Sequence, residues 1–354
     1  MAARRMPGSW TRADVRQLAP MLAVVAALHV LGFGALIAMA PREYHVGAQV
    51  FSIGLGLTAY MLGLRHAFDA DHIAAIDNVT RKLSADGARP KSVGFWFALG
   101  HSAMVVVLAL IVVGATSAAG ALLDDGSPTR RVLGVAGTLA SGGFLLAIAL
   151  VNAVALVALW RVLTAMRAGN ADRVALAAGA DTRGLLGRIL HPVIRRIRRP
   201  HQMAAVGALF GLGFDTATEV ALLALAGTGA AAGMPWYAVL ILPVLFAAGM
   251  TLMDTVDGVF MAAAYDWALT NPMRKVFYNL TITGLSVAVA GAIGAIELVS
   301  VARDLGWTNP LTDAVSGISL EGAGFIMVGL FAATWAVALV FWRVQRRRRR
   351  VTAG

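Results

Sequence analysis

Arg65-His66-Ala67-Phe68-Asp69-Ala70-Asp71-His72-Ile73-Ala74-Ala75-Ile76-Asp77-Asn78 sets one arginine, two histidines and three aspartates into a chain that is apolar on either side. A charged residue at the centre of a membrane helix costs about 2.5 to 3.5 kcal/mol on insertion scales, so Arg65, Asp69 and Asp71 together oppose insertion by roughly 8 to 10 kcal/mol. That is comparable to the most that the residues of 49–64 return. Such a helix is not expected to face lipid. It belongs inside a bundle, with its polar groups paired or lining a pathway, and ionisable groups in that position are functional-site candidates by default.

The surroundings of this stretch set the class. With 58% hydrophobic residues, 14% charged residues and a mean hydropathy of +0.73 over 354 residues, the composition is that of a polytopic membrane protein. Apolar stretches of about 20 residues fall near 18–40, 47–77, 93–122, 132–160, 203–230, 236–266, 276–302 and 322–342, which predicts an all-α protein of eight transmembrane helices and no strands. The chain divides into a tail at 1–17, helices 1–4 over 18–160, a basic loop at 161–202, helices 5–8 over 203–342 and a basic tail at 343–354. Turn chemistry marks the linkers, as in Asp124-Asp125-Gly126-Ser127-Pro128 and Trp307-Thr308-Asn309-Pro310. Ala38-Met39-Ala40 resembles a signal-peptidase site, but the apolar run before it is too long for a signal h-region and reads as a membrane helix.

Basic residues orient the bundle, since cytoplasmic segments near span ends are enriched in Lys and Arg. Of the 30 Lys and Arg, 25 fall in the two tails and the 78–92, 161–202 and 267–275 segments, whereas Arg42, Arg130, Arg131 and Arg303 stand alone on the other side. Both termini are therefore expected in the cytoplasm. The net charge of +11 reads as this topology signal, which also suits anionic lipid headgroups. No nucleic-acid recognition motif accompanies the Arg346–Arg350 run. The absence of cysteine excludes disulfides and thiolate ligation. No P-loop lysine is present, so no ATP hydrolysis of that kind is expected.

Further polar groups interrupt the other spans: Gly100-His101-Ser102, Asn152, Gly213-Phe214-Asp215-Thr216-Ala217-Thr218-Glu219, and Asp254-Thr255-Val256-Asp257-Gly258. Counted from the cytoplasmic span ends at about 1.5 Å per residue, His66, His101, Asp215 and Asp254 share a level roughly 12 to 18 Å in. Helix-helix hydrogen bonds alone would scatter in depth, so the common level predicts one binding site. On a helical wheel Arg65, His66, Asp69 and His72 occupy one arc of about 120°, with Asp71 and Asn78 opposite. His66 and His72 are about 9 Å apart along a continuous helix and reach one ion only if the helix is broken. Asp71 either ligates or braces a neighbouring helix, and His29 in span 1 is either a further ligand or a satisfied core histidine. Imidazole plus carboxylate without sulfur suits divalent ions such as Ni2+, Co2+ or Zn2+.

A repeat organises these clusters. Phe68-Asp69-Ala70 matches Phe214-Asp215-Thr216, and Phe97-Ala98-Leu99-Gly100-His101-Ser102 resembles Phe246-Ala247-Ala248-Gly249-Met250-Thr251. The spans concerned run in opposite directions, which predicts an inverted repeat of spans 2–4 and 5–7.

At these residues the chain resembles the nickel/cobalt transporter (NiCoT) family. The family's His-x4-Asp-His is matched by His66, Asp71 and His72, and its other signatures by Leu99-Gly100-His101-Ser102, Leu212–Glu219 and Phe246–Met250 with Asp254-Thr255. The resemblance covers residues 60–260 and implies secondary uptake of Ni2+ or Co2+ across the bacterial inner membrane, with the ion as substrate, no cofactor and no ATPase subunit. Taken with the reading of the residues above, it gives His66, Asp69, Asp71, His72, His101 and His29 as candidate metal residues. Arg65, Phe68, Asp77, Asn78, Asp215, Thr216, Glu219, Asp254 and Asp257 would line or gate the path. In the family, bulk at Phe68 and a histidine in span 1 accompany acceptance of cobalt. Efflux relatives carry a histidine-rich loop, whereas the 161–202 loop holds only His191 and His201, which favours uptake. The rivals are a transporter of another divalent cation or of protons, an acyltransferase using His66 and Asp71 as a dyad, and a di-iron desaturase, for which too few intramembrane histidines are present.

Overall fold

The computed structural model describes residues 12–42, 44–46, 49–114, 127–167, 197–212, 217–269, 272–318, 320, 324–330, 332–334 and 336–337. Among the described residues, five helical stretches are long and apolar enough to cross a membrane: Asp14–Arg42, Val93–Gly114, Arg131–Val154, Trp236–Asp266 and Thr283–Asp304. They coincide with predicted spans 1, 3, 4, 6 and 7. We number the helices α1 (Arg12–Met39), α2 (Ile53–His66), α3 (Ala70–Ala85), α4 (Val93–Gly114), α5 (Pro128–Arg167), α6 (Met203–Phe210), α7 (Ala217–Ala231), α8 (Trp236–Val239), α9 (Ile241–Leu269), α10 (Pro272–Asp304) and α11 (Pro310–Ser316). A further helical stretch occupies 324–330.

Two expectations are corrected. Strands were not expected, yet His45–Val46 (β1) and Gln49–Val50 (β2) form a two-rung antiparallel ladder in which His45 pairs with Val50. This moves the start of the second span from 47 to Ile53, where the Ser52 hydroxyl accepts from Leu55 N at 3.4 Å and caps α2. The second span is also not one helix. Phe68 N and Asp69 N bond back to Arg65 O and His66 O, each at 2.9 Å. These tight i→i+3 bonds close α2, and Asp69, extended at ψ 143, turns the chain into α3. The span over 203–230 is likewise divided into α6 and α7, with 213–216 outside the described residues.

Close packing against glycine builds the centre. A Cβ at Gly63 on α2 would overlap the Phe246 carbonyl on α9, and one at Gly249 on α9 would overlap the Tyr60 carbonyl on α2. The same reciprocal arrangement joins α6 to α4, where Gly207 meets the Phe97 carbonyl and Gly100 the Ala204 carbonyl. Small residues let apolar helices approach to backbone contact where lipid supplies no hydrophobic drive between them. Phe97 and Phe246 themselves are fully buried. At the helix ends away from these contacts, a buried Lys91–Asp14 ion pair of 2.8 Å ties α1 to the turn before α4. The tails and most of the 161–202 loop lie outside the described residues.

Candidate metal centre

The break after His66 brings the two histidines of the opening stretch together. His66 ends α2, His72 lies in the first turn of α3, and their ring centroids are 4.6 Å apart. His101 of α4 completes the group, 4.8 Å from each of them. All three are buried, at 1%, 1% and 2% exposure, and each offers a nitrogen such that the three atoms lie within 4.8 Å of one another. Phe97 of α4 packs against His72 at 4.8 Å and Phe246 of α9 against His66 at 5.3 Å, so apolar rings wall a polar centre.

Hydrogen bonding directs these rings. His66 Nδ1 hydrogen-bonds Thr218 Oγ1 on α7 at 3.0 Å, and Asp69 Oδ2 lies 2.8 Å away as an ion-pair neighbour rather than a hydrogen-bond partner. His72 Nδ1 faces Asp254 Oδ2 on α9 at 3.4 Å. A carboxylate only accepts, so its presence beside Nδ1 favours the tautomer with the proton there and leaves the Nε2 lone pair free. His66 Nε2 and His101 Nε2 are 3.0 Å apart. Two nitrogens each about 2.0 to 2.1 Å from one ion and at right angles to each other would stand about 2.9 Å apart. His72 Nε2 and His101 Nδ1 have no hydrogen-bond partner among the described residues, which in a buried setting is a polar demand that a cation meets.

The remaining sequence candidates fall elsewhere or at the margin. Asp69 stands at the N-cap of α3 and is partly exposed. Asp71 is partly exposed in the first turn of α3. His29 sits apart, with Nδ1 2.8 Å from Val25 O and Nε2 3.2 Å from Tyr60 Oη. Arg65 is exposed at the end of α2. Phe68 stacks on Phe325, at 4.7 Å and 18°. Glu219 and Asp254 are fully buried beside the histidine group's helices, and Asp257 is partly buried one turn along α9 from Asp254. Asp215 and Thr216 lie outside the described residues.

Asp77 and Asn78 form a separate buried network. The Tyr265 and Ser286 hydroxyls both donate to Asp77, the latter at 2.8 Å. Asn78 donates to Ala74 O at 2.7 Å and accepts from Arg81 at 3.3 Å and from Asn152 of α5. Arg81 also reaches Thr283 at 2.8 Å. This network ties α3 to α5, α9 and α10. Thr218, Tyr265 and Ser286 were missed as site residues in the sequence because a hydroxyl in an apolar helix carries no spacing signal of its own.

With this geometry in hand, similarity to known proteins is informative. A family model described as high-affinity nickel-transport protein (NicO) matches residues 52–341. The chain is 50% identical over 351 residues to the nickel transporter NicT of Mycobacterium tuberculosis, covering 98% of this chain and 94% of that one. It is 38% identical over 334 residues to the high-affinity nickel-transport protein NixA of Helicobacter pylori strain 26695, covering 92% and 97%. It is 38% identical over 348 residues to the cobalt transport protein NhlF of Rhodococcus rhodochrous, covering 96% of each. No solved structure matches the chain.

Proposed function

The chain belongs to the NicO family of high-affinity nickel-transport proteins, and from that premise we propose that it is a secondary transporter that takes up Ni2+ and Co2+ across the bacterial inner membrane through the His66, His72 and His101 centre. Members of the family are transporters and not enzymes, which removes the acyltransferase and desaturase readings; the ion is cargo, and no cofactor is required. The observation that carries the proposal is three buried imidazole nitrogens within 4.8 Å of one another. Neutral imidazole without thiolate suits nickel and cobalt. The likeness to a protein named for cobalt transport supports acceptance of both ions.

The architecture supports alternating access. Five long apolar helices among the described residues, together with the paired shorter helices α2/α3 and α6/α7 and the helical stretch from 324, support a reading of eight spans. The reciprocal glycine contacts of α2 on α9 and of α6 on α4 support the reading of spans 2–4 and 5–7 as an inverted repeat, and discontinuous helices meeting near mid-bilayer are the usual site of substrate binding in such transporters. Both termini face the cytoplasm in this reading, as the basic asymmetry dictates. No ATPase subunit is required, because a divalent ion moving inward gains about 4.6 kcal/mol per 100 mV, sufficient for a concentration ratio of roughly 2,000.

Proteoliposomes containing the protein alone test this. An inside-negative potential is expected to drive saturable 63Ni2+ uptake, and His66→Ala or His72→Ala to abolish it while leaving the protein in the membrane. Uptake that persists in both variants, or that requires ATP, contradicts the proposal.

A further inference from the structure

We propose that Asp254 is a positioning residue for the metal site, holding His72 by Nδ1 so that Nε2 faces the ion and thereby letting α9 set the affinity of a ligand carried on α3. The proposal deepens the transport reading above and rests on it. Asp254 is fully buried, and its Oδ2 lies 3.4 Å from His72 Nδ1. A group bonded to Nδ1 stands across the ring from Nε2, which is the place of an orienting carboxylate rather than of a ligand. Phe97 meets the same ring edge-on at 4.8 Å, so the imidazole is held in plane by one contact and in rotation by the other. The carboxylate is itself fixed, because α9 lies against α4 at backbone contact where a Cβ on Gly94 would overlap the Asp254 carbonyl.

The two carboxylates beside the histidines differ in origin. Asp69, at His66, is three residues along the same chain segment and moves with it. Asp254 comes from a helix 182 residues away in sequence. Its bond to His72 spans two helices, so a displacement of α9 against α3 weakens it. Loss of such a partner typically costs 10- to 100-fold in metal affinity. The contact therefore makes the affinity at His72 depend on how α9 is seated against α3.

The test uses the full-length protein in detergent, titrated with Co2+ alone and followed by its ligand-field absorption, for wild type, Asp254→Asn, Asp254→Glu and His72→Ala. Asp254→Asn is expected to reach the wild-type spectrum at saturation with a Kd about 10- to 100-fold higher, because the nitrogen donors are unchanged and only their orientation is lost. Asp254→Glu, which keeps a carboxylate, is expected to recover part of that affinity. An unchanged Kd in Asp254→Asn overturns the proposal, as does an altered spectrum at saturation, which would make Asp254 a ligand. A His72→Ala protein that binds Co2+ as wild type does overturns the histidine centre itself and the present inference with it. Elution of each variant at the wild-type volume on size exclusion verifies that it is folded.

Discussion

Removing one hydroxyl from the Asp77 network separates bracing from transport. Asp77 is fully buried and accepts from Tyr265 and Ser286, themselves 2% and 1% exposed. A hydrogen bond to a charged group contributes about 1.5 to 3 kcal/mol, whereas interhelical hydrogen bonds in membrane proteins average about 0.6 and reach about 1.7 kcal/mol. The acceptor here is a buried carboxylate, so the upper end applies, and Ser286→Ala is expected to destabilise by about 1.5 kcal/mol. Tyr265→Phe is expected to cost a similar amount. The double variant should fall short of the sum, because both donors share one acceptor. Unfolding of the purified protein in mixed micelles measures the loss, and metal titration of the same samples should return an unchanged Kd. A tenfold weaker Kd with unaltered stability would refute the reasoning and put Asp77 on the ion's path, where the sequence alone had set it.

Three further outcomes follow from the packing and topology. Gly63→Ala, whose Cβ would overlap the Phe246 carbonyl, is expected to destabilise by about 1 to 3 kcal/mol, whereas Gly34→Ala, with nothing within 4 Å, is expected to be neutral or stabilising by up to about 1 kcal/mol; thermal unfolding of the two proteins checks the contrast, and equal midpoints would discredit the α2–α9 contact. Reporter fusions after residues 125, 232 and 310 are expected to read as external and those after 86, 180 and 350 as cytoplasmic, and a cytoplasmic signal at 125 would dismantle the span count. Phe68→Val and His29→Asn are expected to lower the ratio of cobalt to nickel uptake without abolishing nickel transport, in competition assays with each unlabelled metal; identical ratios in wild type and both variants would place selectivity elsewhere.

Much of the site could be read before its geometry was known, for a physical reason: an ionisable group in an apolar helix is expensive enough to demand explanation. That is why His66, His72 and His101 stood out, and why the wheel flagged that His66 and His72 could share an ion only across a break. The break itself was less legible. No proline or glycine marks Ala67–Asp69, and the turn depends on backbone bonds to Arg65 and His66 together with tertiary packing of Phe68 on Phe325. The β1–β2 ladder was hidden by apolar residues that read as the continuation of a span. Arg65 shares its wheel arc with His66, yet the helix ends there and the side chain is exposed. Hydroxyl partners such as Thr218 are set by which helices adjoin, which a single sequence does not state.

The central claim is that one ion is held by imidazoles drawn from α2, α3 and α4. X-ray absorption of the full-length protein loaded with one equivalent of Ni2+ tests it most directly. The account predicts outer-shell scattering from three imidazoles in wild type and from two in His101→Ala. A spectrum with oxygen donors only, or one unchanged by His101→Ala, would contradict it.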